Sequence, residues 1–262
     1  MSDLLVEVSV LGPIELRGAA APCRRSAALE LIAYLAFHRH PVSHAQWAEA
    51  IWPDRPVSMP TMYATASDAR RALGRMPEGG PYLARGPRLT LATSVGTDVE
   101  RFTALAESAN PWRIRDALAL VRGPLFSGLR RADWSVFDGT RSDIEAVVTL
   151  AALRGARAFV RAGSPEVAEW MVRRALRVSP YDERLYRSLL HATVAHGGRT
   201  RLAHTVAQLR VLAGEQGGSE VRARGPLVRE PADLRWLDPR TAALCRDLLR
   251  TDPADGGHPA RL

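Results

Sequence analysis

The sequence predicts a mainly α-helical protein whose N-terminal part is an α+β domain. Apolar residues recur at helical spacing through most of the 262 residues, whereas the alternation typical of strands is confined to the part before residue 97. The length and the hydrophobic fraction of 46% are enough for two packed domains. We therefore expect an N-terminal domain of helices and short strands, followed by an all-α domain.

The first predicted elements are two strands and a helix. Residues 6–11 and 14–17 are β-rich and flank Gly12 and Pro13, which predicts two strands joined by a turn. A helix is predicted over residues 25–39, because its apolar residues fall on one face. A proline two residues later ends this helix.

Two further helices and a hairpin complete the N-terminal domain. Ser43 is expected to cap a helix over residues 44–52, because a serine hydroxyl accepts hydrogen bonds from the first unpaired backbone N–H groups. A third helix is predicted from residue 59 or 60 to residue 75, with one apolar stripe that faces the core. This stripe consists of Met62, Ala66, Ala69 and Leu73. Residues 82–85 and 88–92 alternate around a Gly-Pro pair and predict a β-hairpin.

The all-α part begins where Thr-Asp-Val-Glu at residues 97–100 predicts a helix cap, and we place the domain boundary near residues 94–98. Helical patterns follow over residues 98–109, 111–122, about 137–162, 165–178, 182–196 and 199–216. Gly163 and Gly197 lie 34 residues apart, and each ends a predicted helix. This period predicts a tetratricopeptide-like domain, with a plain bundle of helical hairpins as the alternative.

The predicted organisation has three parts. Residues 1–97 form the N-terminal domain, and residues 98–216 form the helical domain. Residues 217–262 form a C-terminal extension that is rich in glycine, proline and arginine. Within this extension we expect a short helix near residues 238–250 and a disordered tail over residues 251–262.

Arginine supplies all 36 basic residues, and the formal net charge is +8. Without lysine the chain lacks the residue that a Walker A loop or a pyridoxal Schiff base requires. The sequence also lacks the motifs of serine hydrolases, zinc proteases and dinucleotide-binding folds. We therefore expect no enzyme activity, no cofactor and no metal site, whereas the basic charge favours a polyanionic partner.

The N-terminal residues and the cysteines predict a cytoplasmic protein. No basic segment followed by a long apolar core stands at the N-terminus, which argues against a signal peptide. The longest apolar run, residues 27–37, contains Glu30 and is too short to cross a bilayer, so we expect no membrane insertion. Cys23 and Cys245 are far apart in the sequence, and two cysteines in a chain of this length suit a reducing compartment.

Three short helices followed by a hairpin are typical of a winged helix-turn-helix, which places its third helix in a DNA groove. Polar and forked side chains on the outer face of such a helix reach bases and phosphates. The candidate contacts to double-stranded DNA are Arg24, Arg25, Thr61, Tyr63, Ser67, Arg70, Arg71, Arg85 and Arg88. Arg71 is the strongest single candidate, and Arg24 and Arg25 are placed to hold phosphate at the start of the first helix. The alternative is a solvated helix face.

Six segments carry a resemblance to a known family. They are VSVLGPIEL at 8–16, ALELIAYLAFHRHPVSHAQWAEAIWPD at 28–54, RRALG at 70–74, TDVERF at 97–102, RGPLFSGL at 122–129 and ALRVSPYDERLYRSLLHATVAHGGR at 175–199. Over about residues 4–216 the chain resembles the Streptomyces antibiotic regulatory protein family, which joins a winged helix to a bacterial transcriptional activator domain. The resemblance implies a transcriptional activator that binds promoter direct repeats as a homo-oligomer and contacts RNA polymerase.

Two departures leave a second interpretation open. The family usually has arginine near position 68 and a larger apolar residue near 69, whereas this chain has Asp68 and Ala69. An acidic side chain repels phosphate, although it can accept a hydrogen bond from a cytosine amino group. Residues 1–97 are also only mildly basic, with 10 arginines and 8 acidic residues, and residues 220–250 resemble the tails of related modules in large actinobacterial membrane proteins. The alternative function is a protein-interaction module with a degenerate winged helix, as the C-terminal part of a larger actinobacterial assembly protein.

Overall fold

A computed structural model describes residues 6–197, 199–216 and 237–250 of the protein. Within these residues the fold is mainly helical, which confirms the predicted fold class. The packing of the chain divides it into two compact units, Met1–Ala151 and Ala152–Leu262.

The strands of the first unit are short, and three of them form a sheet. The described strands are β1 (Val6–Ser9), β2 (Glu15–Arg17), β3 (Val42–Ser43), β4 (Arg88–Leu89) and β5 (Val95–Thr97). The sheet has the order β2-β1-β5, with β2 antiparallel and β5 parallel to β1. Val8 of β1 therefore lies between Leu16 and Thr97. The sequence predicts β1 and β2 correctly, but it does not predict β5, because three residues give too little alternation.

Six described helices precede residue 140, and one of them, α3, has a buried apolar stripe opposite a polar face. They are α1 (Ser26–Phe37), α2 (His44–Ile51), α3 (Met59–Leu73), α4 (Asp98–Ala106), α5 (Pro111–Ala119) and α6 (Trp134–Phe137). The predicted apolar stripe of α3 is buried along its whole length, and α1 packs against both α2 and α3. Ser43 caps α2 through a capping box with Gln46, as predicted. Gly74 ends α3 at a φ of 81°, and an added Cβ would lie 2.5 Å from the Cβ of Ala20, so glycine is required.

The predicted hairpin lies beside the three helices, and we call residues 82–92 the wing. Leu83 pairs with Leu91 across the hairpin. β4 pairs antiparallel with β3, which brings Arg88 opposite Ser43 at the start of α2. The short β3-β4 sheet therefore fixes the wing next to α2.

The first compact unit extends past the predicted domain boundary at residues 97–98. Asp98, the first residue of α4, is buried, and its two carboxylate oxygens accept hydrogen bonds from the backbone N–H groups of Val10 (2.8 Å) and Leu11 (3.1 Å). These bonds join α4 to the end of β1. Residues 98–151 therefore belong to the same compact unit as the N-terminal strands and helices.

The last five described helices follow the predicted helical patterns. They are α7 (Thr140–Arg161), α8 (Pro165–Ala175), α9 (Glu183–His196), α10 (Arg199–Gln216) and α11 (Pro239–Arg250). In the second unit α9 packs against α8, α10 and α11. Gly163 and Gly197 follow α7 and α9 with positive φ angles of 74° and 78°, in agreement with the predicted helix ends. α11 corresponds to the short helix predicted near residues 238–250, whereas the tail predicted at residues 251–262 lies outside the described residues.

A buried carboxyl group makes the stability of the first unit depend on pH. Glu30 on α1 is fully buried, and one of its oxygens accepts a hydrogen bond from the Ala132 N–H at 2.9 Å. Burial raises the pKa of Glu30 because the charged form loses its solvation. The folded state therefore holds this proton more tightly than the unfolded state does. The resulting stabilisation is complete below about pH 4 and is lost as the pH rises through the raised pKa.

We expect the Glu30→Gln variant to lose less stability than the wild-type chain between about pH 4 and pH 7, because an amide does not ionise. Urea unfolding at a series of pH values measures the difference. The matched control is Glu78→Gln, which changes an exposed carboxylate and should keep the wild-type pH dependence. Parallel pH profiles for Glu30→Gln and the wild type would contradict this prediction.

Candidate nucleic-acid interface

The outer face of α3 is open to solvent and carries the predicted contact residues. The exposed members of this face are Thr61, Tyr63, Ser67 and Arg71. Arg70 is half-buried beside them. Ser58 is the N-cap residue of the helix, and its hydroxyl accepts a hydrogen bond from the Thr61 N–H at 3.4 Å. Because the opposite stripe is buried, the rotation of α3 is fixed and these side chains face outward.

A groove of about 1060 Å³ runs between α3 and the wing, and we call it the α3–wing groove. Four arginines line it, namely Arg70, Arg71, Arg75 and Arg85. Tyr63, Ser67 and His44 contribute further polar groups, and none of its described lining residues is acidic. The structure therefore brings five predicted contact residues together in one cationic groove. Sequence reasoning missed Arg75 and His44, which lie just beyond the helical face and the hairpin that it considered.

The four other predicted contact residues lie outside the lining of this groove. Arg88 is exposed on β4 of the wing, and Arg24 is exposed just before α1. Arg25 occupies the N-cap position of α1. The hydroxyl of Thr61 lies 3.0 Å from the hydroxyl of Ser58, at the first turn of α3. These four residues lie on or next to α1, α3 and the wing, but they do not line the groove.

Arg70 links α3 to the wing. Its guanidinium donates a hydrogen bond to the backbone carbonyl of Ala84 at 3.3 Å. Burial lowers the pKa of Arg70, and the nearby positive charge of Arg85 lowers it further. Arg70 and Arg85 both line the groove, so their positive charges make it a favourable place for an anion.

One carboxylate interrupts the positive charge of this surface. Asp68 on α3 accepts contacts from the Arg25 Nε at 3.0 Å and from an Arg71 guanidinium nitrogen at 2.8 Å. A second nitrogen of Arg25 lies 3.4 Å from the hydroxyl of Thr65. Asp68 therefore pairs with two of the predicted DNA-contacting arginines, Arg25 and Arg71. Of the predicted DNA contacts, Arg71 is the strongest single candidate.

The remaining arginines of this surface have no such partner. Within the described residues, Arg24, Arg75, Arg85 and Arg88 form no ion pair, and all four are exposed. An unpaired surface guanidinium can exchange its water for a phosphate without breaking an existing contact. The positive charge that is available to a polyanion therefore lies mainly on the wing and at the ends of α1 and α3.

Two histidines near Pro41, His38 and His44, contact residues outside their own turn, whereas His40 is exposed. The Nδ1 of His44 lies 3.0 Å from the carbonyl oxygen of Pro87 in the wing, and its ring meets Tyr63 edge-on at 5.7 Å. The Nε2 of His38 lies 3.3 Å from a carboxylate oxygen of Asp138. His44 thus connects α2, α3 and the wing, a role that depends on the long-range β3-β4 pairing.

Residues 97–215 match the family model of the bacterial transcriptional activator domain. No curated protein matches the chain. The structure is similar to that of Mycobacterium tuberculosis EmbR in complex with a low-affinity phosphopeptide, with a TM-score of 0.58 and 21% sequence identity. The match covers 94% of this chain and 65% of the EmbR chain. At this level of identity the similarity concerns the fold. Among the described helices, none has the length and apolar composition that a membrane span requires.

Proposed function

We propose that the protein is a DNA-binding transcriptional regulator of the Streptomyces antibiotic regulatory protein type. The observation that carries this proposal is the α3–wing groove, which is open, is lined by four arginines and has no acidic lining residue among those described. In this proposal α3 enters the major groove of DNA and the wing meets the flanking backbone. The bacterial transcriptional activator domain match and the EmbR-like fold support a regulatory role.

Each group of polar residues has a separate role in this mechanism. Tyr63 and Ser67 face the base edges from the middle of α3, where short or planar polar side chains read donors and acceptors. Arg70 and Arg85 share one end of the groove and hold a phosphate between them. Arg88 on the wing and Arg24 just before α1 extend the contact along the DNA backbone.

The helical domain has the complementary role in the proposal. Residues 97–215, which match the activator domain, pair two protomers on direct repeats and present a surface to RNA polymerase. Two protomers on adjacent repeats double the number of phosphate contacts, which raises the affinity well above that of one α3–wing groove.

A protein-interaction module remains the second candidate, and one observation favours it. Asp68 neutralises part of the α3 face through its ion pairs with Arg25 and Arg71. A degenerate winged helix that no longer binds phosphate would tolerate such an acidic residue. The two candidates differ in whether the chain binds DNA at all.

The test is selection of bound sequences from random duplex DNA by the full chain, followed by fluorescence anisotropy on the selected duplex. If four to six phosphates are contacted, the logarithm of affinity should fall against the logarithm of salt with a slope of roughly −4 to −5. This slope corresponds to a loss of roughly 250- to 1000-fold between 50 and 200 mM salt. Failure to enrich any sequence, together with a flat salt response, would support the interaction module instead.

We expect Arg85→Ala to reduce the salt slope by about 1 and to weaken binding by roughly fivefold, because one phosphate contact is lost. Anisotropy titrations at several salt concentrations measure both effects. Arg113→Ala is the matched control, because Arg113 is an exposed arginine on α5 without an ion pair among the described residues. Equal losses in the two variants would show that only the net charge matters.

A further inference from the structure

A second surface of the first unit has a different chemistry from the α3–wing groove. A pocket of about 440 Å³ lies where α1, α2 and α6 meet, and we call it the α6 pocket. Phe137, at the end of α6, lines it and is 84% exposed, and the neighbouring Val136 is 58% exposed. An aromatic side chain this exposed on a packed helix is typical of a surface that another molecule covers.

The wall of the α6 pocket is aromatic, and its rings pack against one another. Tyr34 and His38 stack with their ring centroids 4.0 Å apart, and Trp134 meets Tyr34 edge-on at 5.3 Å. Trp134 is buried, so this aromatic wall is anchored in the packed core. Flat, rigid rings of this kind bind apolar groups and cations on their faces.

Three carboxylates surround this aromatic wall. Asp138 pairs with His38 at 3.3 Å, and Asp133 pairs with the Nε of Arg131 at 2.8 Å. Glu49 lines the pocket and forms no ion pair within the described residues. Glu49 is therefore the carboxylate of this pocket that has no ion-pair partner among the described residues, although the chain as a whole carries a net charge of +8.

The carboxylates affect the ionisation of Tyr34, which lines the pocket. Burial raises the pKa of Tyr34, and the negative charges of Asp138 and Glu49 raise it further. Both carboxylates line the pocket together with Tyr34. This negative potential disfavours an anion in the pocket and favours a cation.

We propose that the α6 pocket binds an arginine side chain of a protein partner. The guanidinium stacks on the aromatic wall and pairs with Glu49, while Phe137 and Val136 cover an apolar residue next to that arginine. A guanidinium suits this pocket better than an ammonium group, because it is planar, weakly hydrated and able to stack and to donate hydrogen bonds at once. A protein segment fits better than a free small cation, since a small cation would leave Phe137 exposed. The proposal does not depend on the proposed DNA binding.

The test uses the full chain, labelled with ¹⁵N, and the peptide Ac-Gly-Leu-Arg-Leu-Gly-NH₂. The six tryptophans give six indole N–H signals, and the Trp134→Phe variant assigns the signal of Trp134. We expect the peptide to shift the Trp134 signal in a saturable way. The same peptide with citrulline, which has the shape of arginine without its charge, should bind at least about fivefold more weakly, because the charged contact is lost.

Variants of exposed residues locate the contact without disturbing the fold. Glu49→Gln should weaken peptide binding about as much as citrulline does, and Phe137→Ala should weaken it further, because the apolar neighbour loses its cover. Glu78→Gln, an exposed carboxylate outside the α6 pocket, should leave binding unchanged.

Three results would overturn the proposal. The first is the absence of any Trp134 shift with the arginine peptide, and the second is equal binding of the citrulline peptide, which would indicate an apolar groove without charge selection. The third is a Trp134 shift that depends on protein concentration without peptide, with a dimer mass in light scattering. That result would assign the α6 pocket to contact with a second copy of this chain.

Discussion

The Asp68→Asn variant is expected to bind DNA roughly tenfold more tightly than the wild-type chain, because surface charge contacts of this kind contribute up to about 1 kcal/mol each. Asp68 occupies two guanidinium groups, those of Arg25 and Arg71, that would be available to phosphate in the proposed DNA complex. Asparagine keeps the shape of the side chain and removes its charge. Two arginines then become available, and the repulsion between Asp68 and the DNA backbone disappears.

Salt dependence identifies the cause of this gain. If Arg25 and Arg71 both reach phosphate in the variant, the salt slope should become steeper by about 2. The gain should be larger on random DNA than on a selected sequence, because every duplex offers phosphates. If Asp68 accepts a hydrogen bond from a cytosine amino group, Asp68→Asn should also relax the base preference at one position of the selected site.

A matched control separates this local effect from a change in net charge. Asp116→Asn removes another exposed carboxylate that pairs with an arginine, Arg115, at 3.0 Å, and it lies on α5 rather than on α3. We expect this control to change DNA affinity by less than about twofold. Unchanged affinity and slope in Asp68→Asn would place Arg25 and Arg71 away from DNA and would favour the interaction module.

Features that depend on neighbouring residues could be predicted from the sequence. The stripe of Met62, Ala66, Ala69 and Leu73 sets which side of α3 is buried, and the structure buries all four. The cap at Ser43 depends on Gln46, three residues further on. Both patterns lie within a few turns of one helix, where spacing alone fixes which side chains meet.

Features that depend on distant pairing could not be predicted. The ion pair between Arg25 and Asp68 joins residues 43 positions apart, so the sequence shows the charges of α3 without showing which of them are neutralised.

A distant contact of the same kind lies at the predicted domain boundary, where Asp98 meets Val10 and Leu11. Thr97 and Asp98 have the sequence of a helix cap, which predicts a new domain, and Thr97 does cap α4. Thr97 is also the last residue of β5, and Asp98 accepts hydrogen bonds from the backbone N–H groups of Val10 and Leu11 at the end of β1. The cap at Thr97 therefore marks the start of a helix and of the residues that match the activator-domain model, and the contacts of Asp98 join this helix to β1 within one compact unit.

Asp98→Ala is expected to lower the free energy of unfolding of the first unit by about 3–5 kcal/mol. The side chain is 2% exposed and accepts hydrogen bonds from the N–H groups of Val10 at 2.8 Å and Leu11 at 3.1 Å. Alanine leaves both N–H groups buried without this acceptor. It also removes the carboxylate that lies 3.8 Å from the Arg122 guanidinium. Urea unfolding followed by tryptophan fluorescence and circular dichroism measures the loss.

Asp98→Asn distinguishes the hydrogen bonds from the charge. Burial raises the pKa of Asp98, because the charged form loses more solvation than its hydrogen bonds and Arg122 restore. A neutral amide that keeps one acceptor oxygen should therefore cost less than alanine, about 1–2 kcal/mol. Asp116→Ala, an exposed change on α5, should stay within about 0.5 kcal/mol of the wild type. If Asp98→Ala also stayed within that range, the buried contact between α4 and β1 would not hold the first unit together, and residues 98–151 would fold independently of the strands before them.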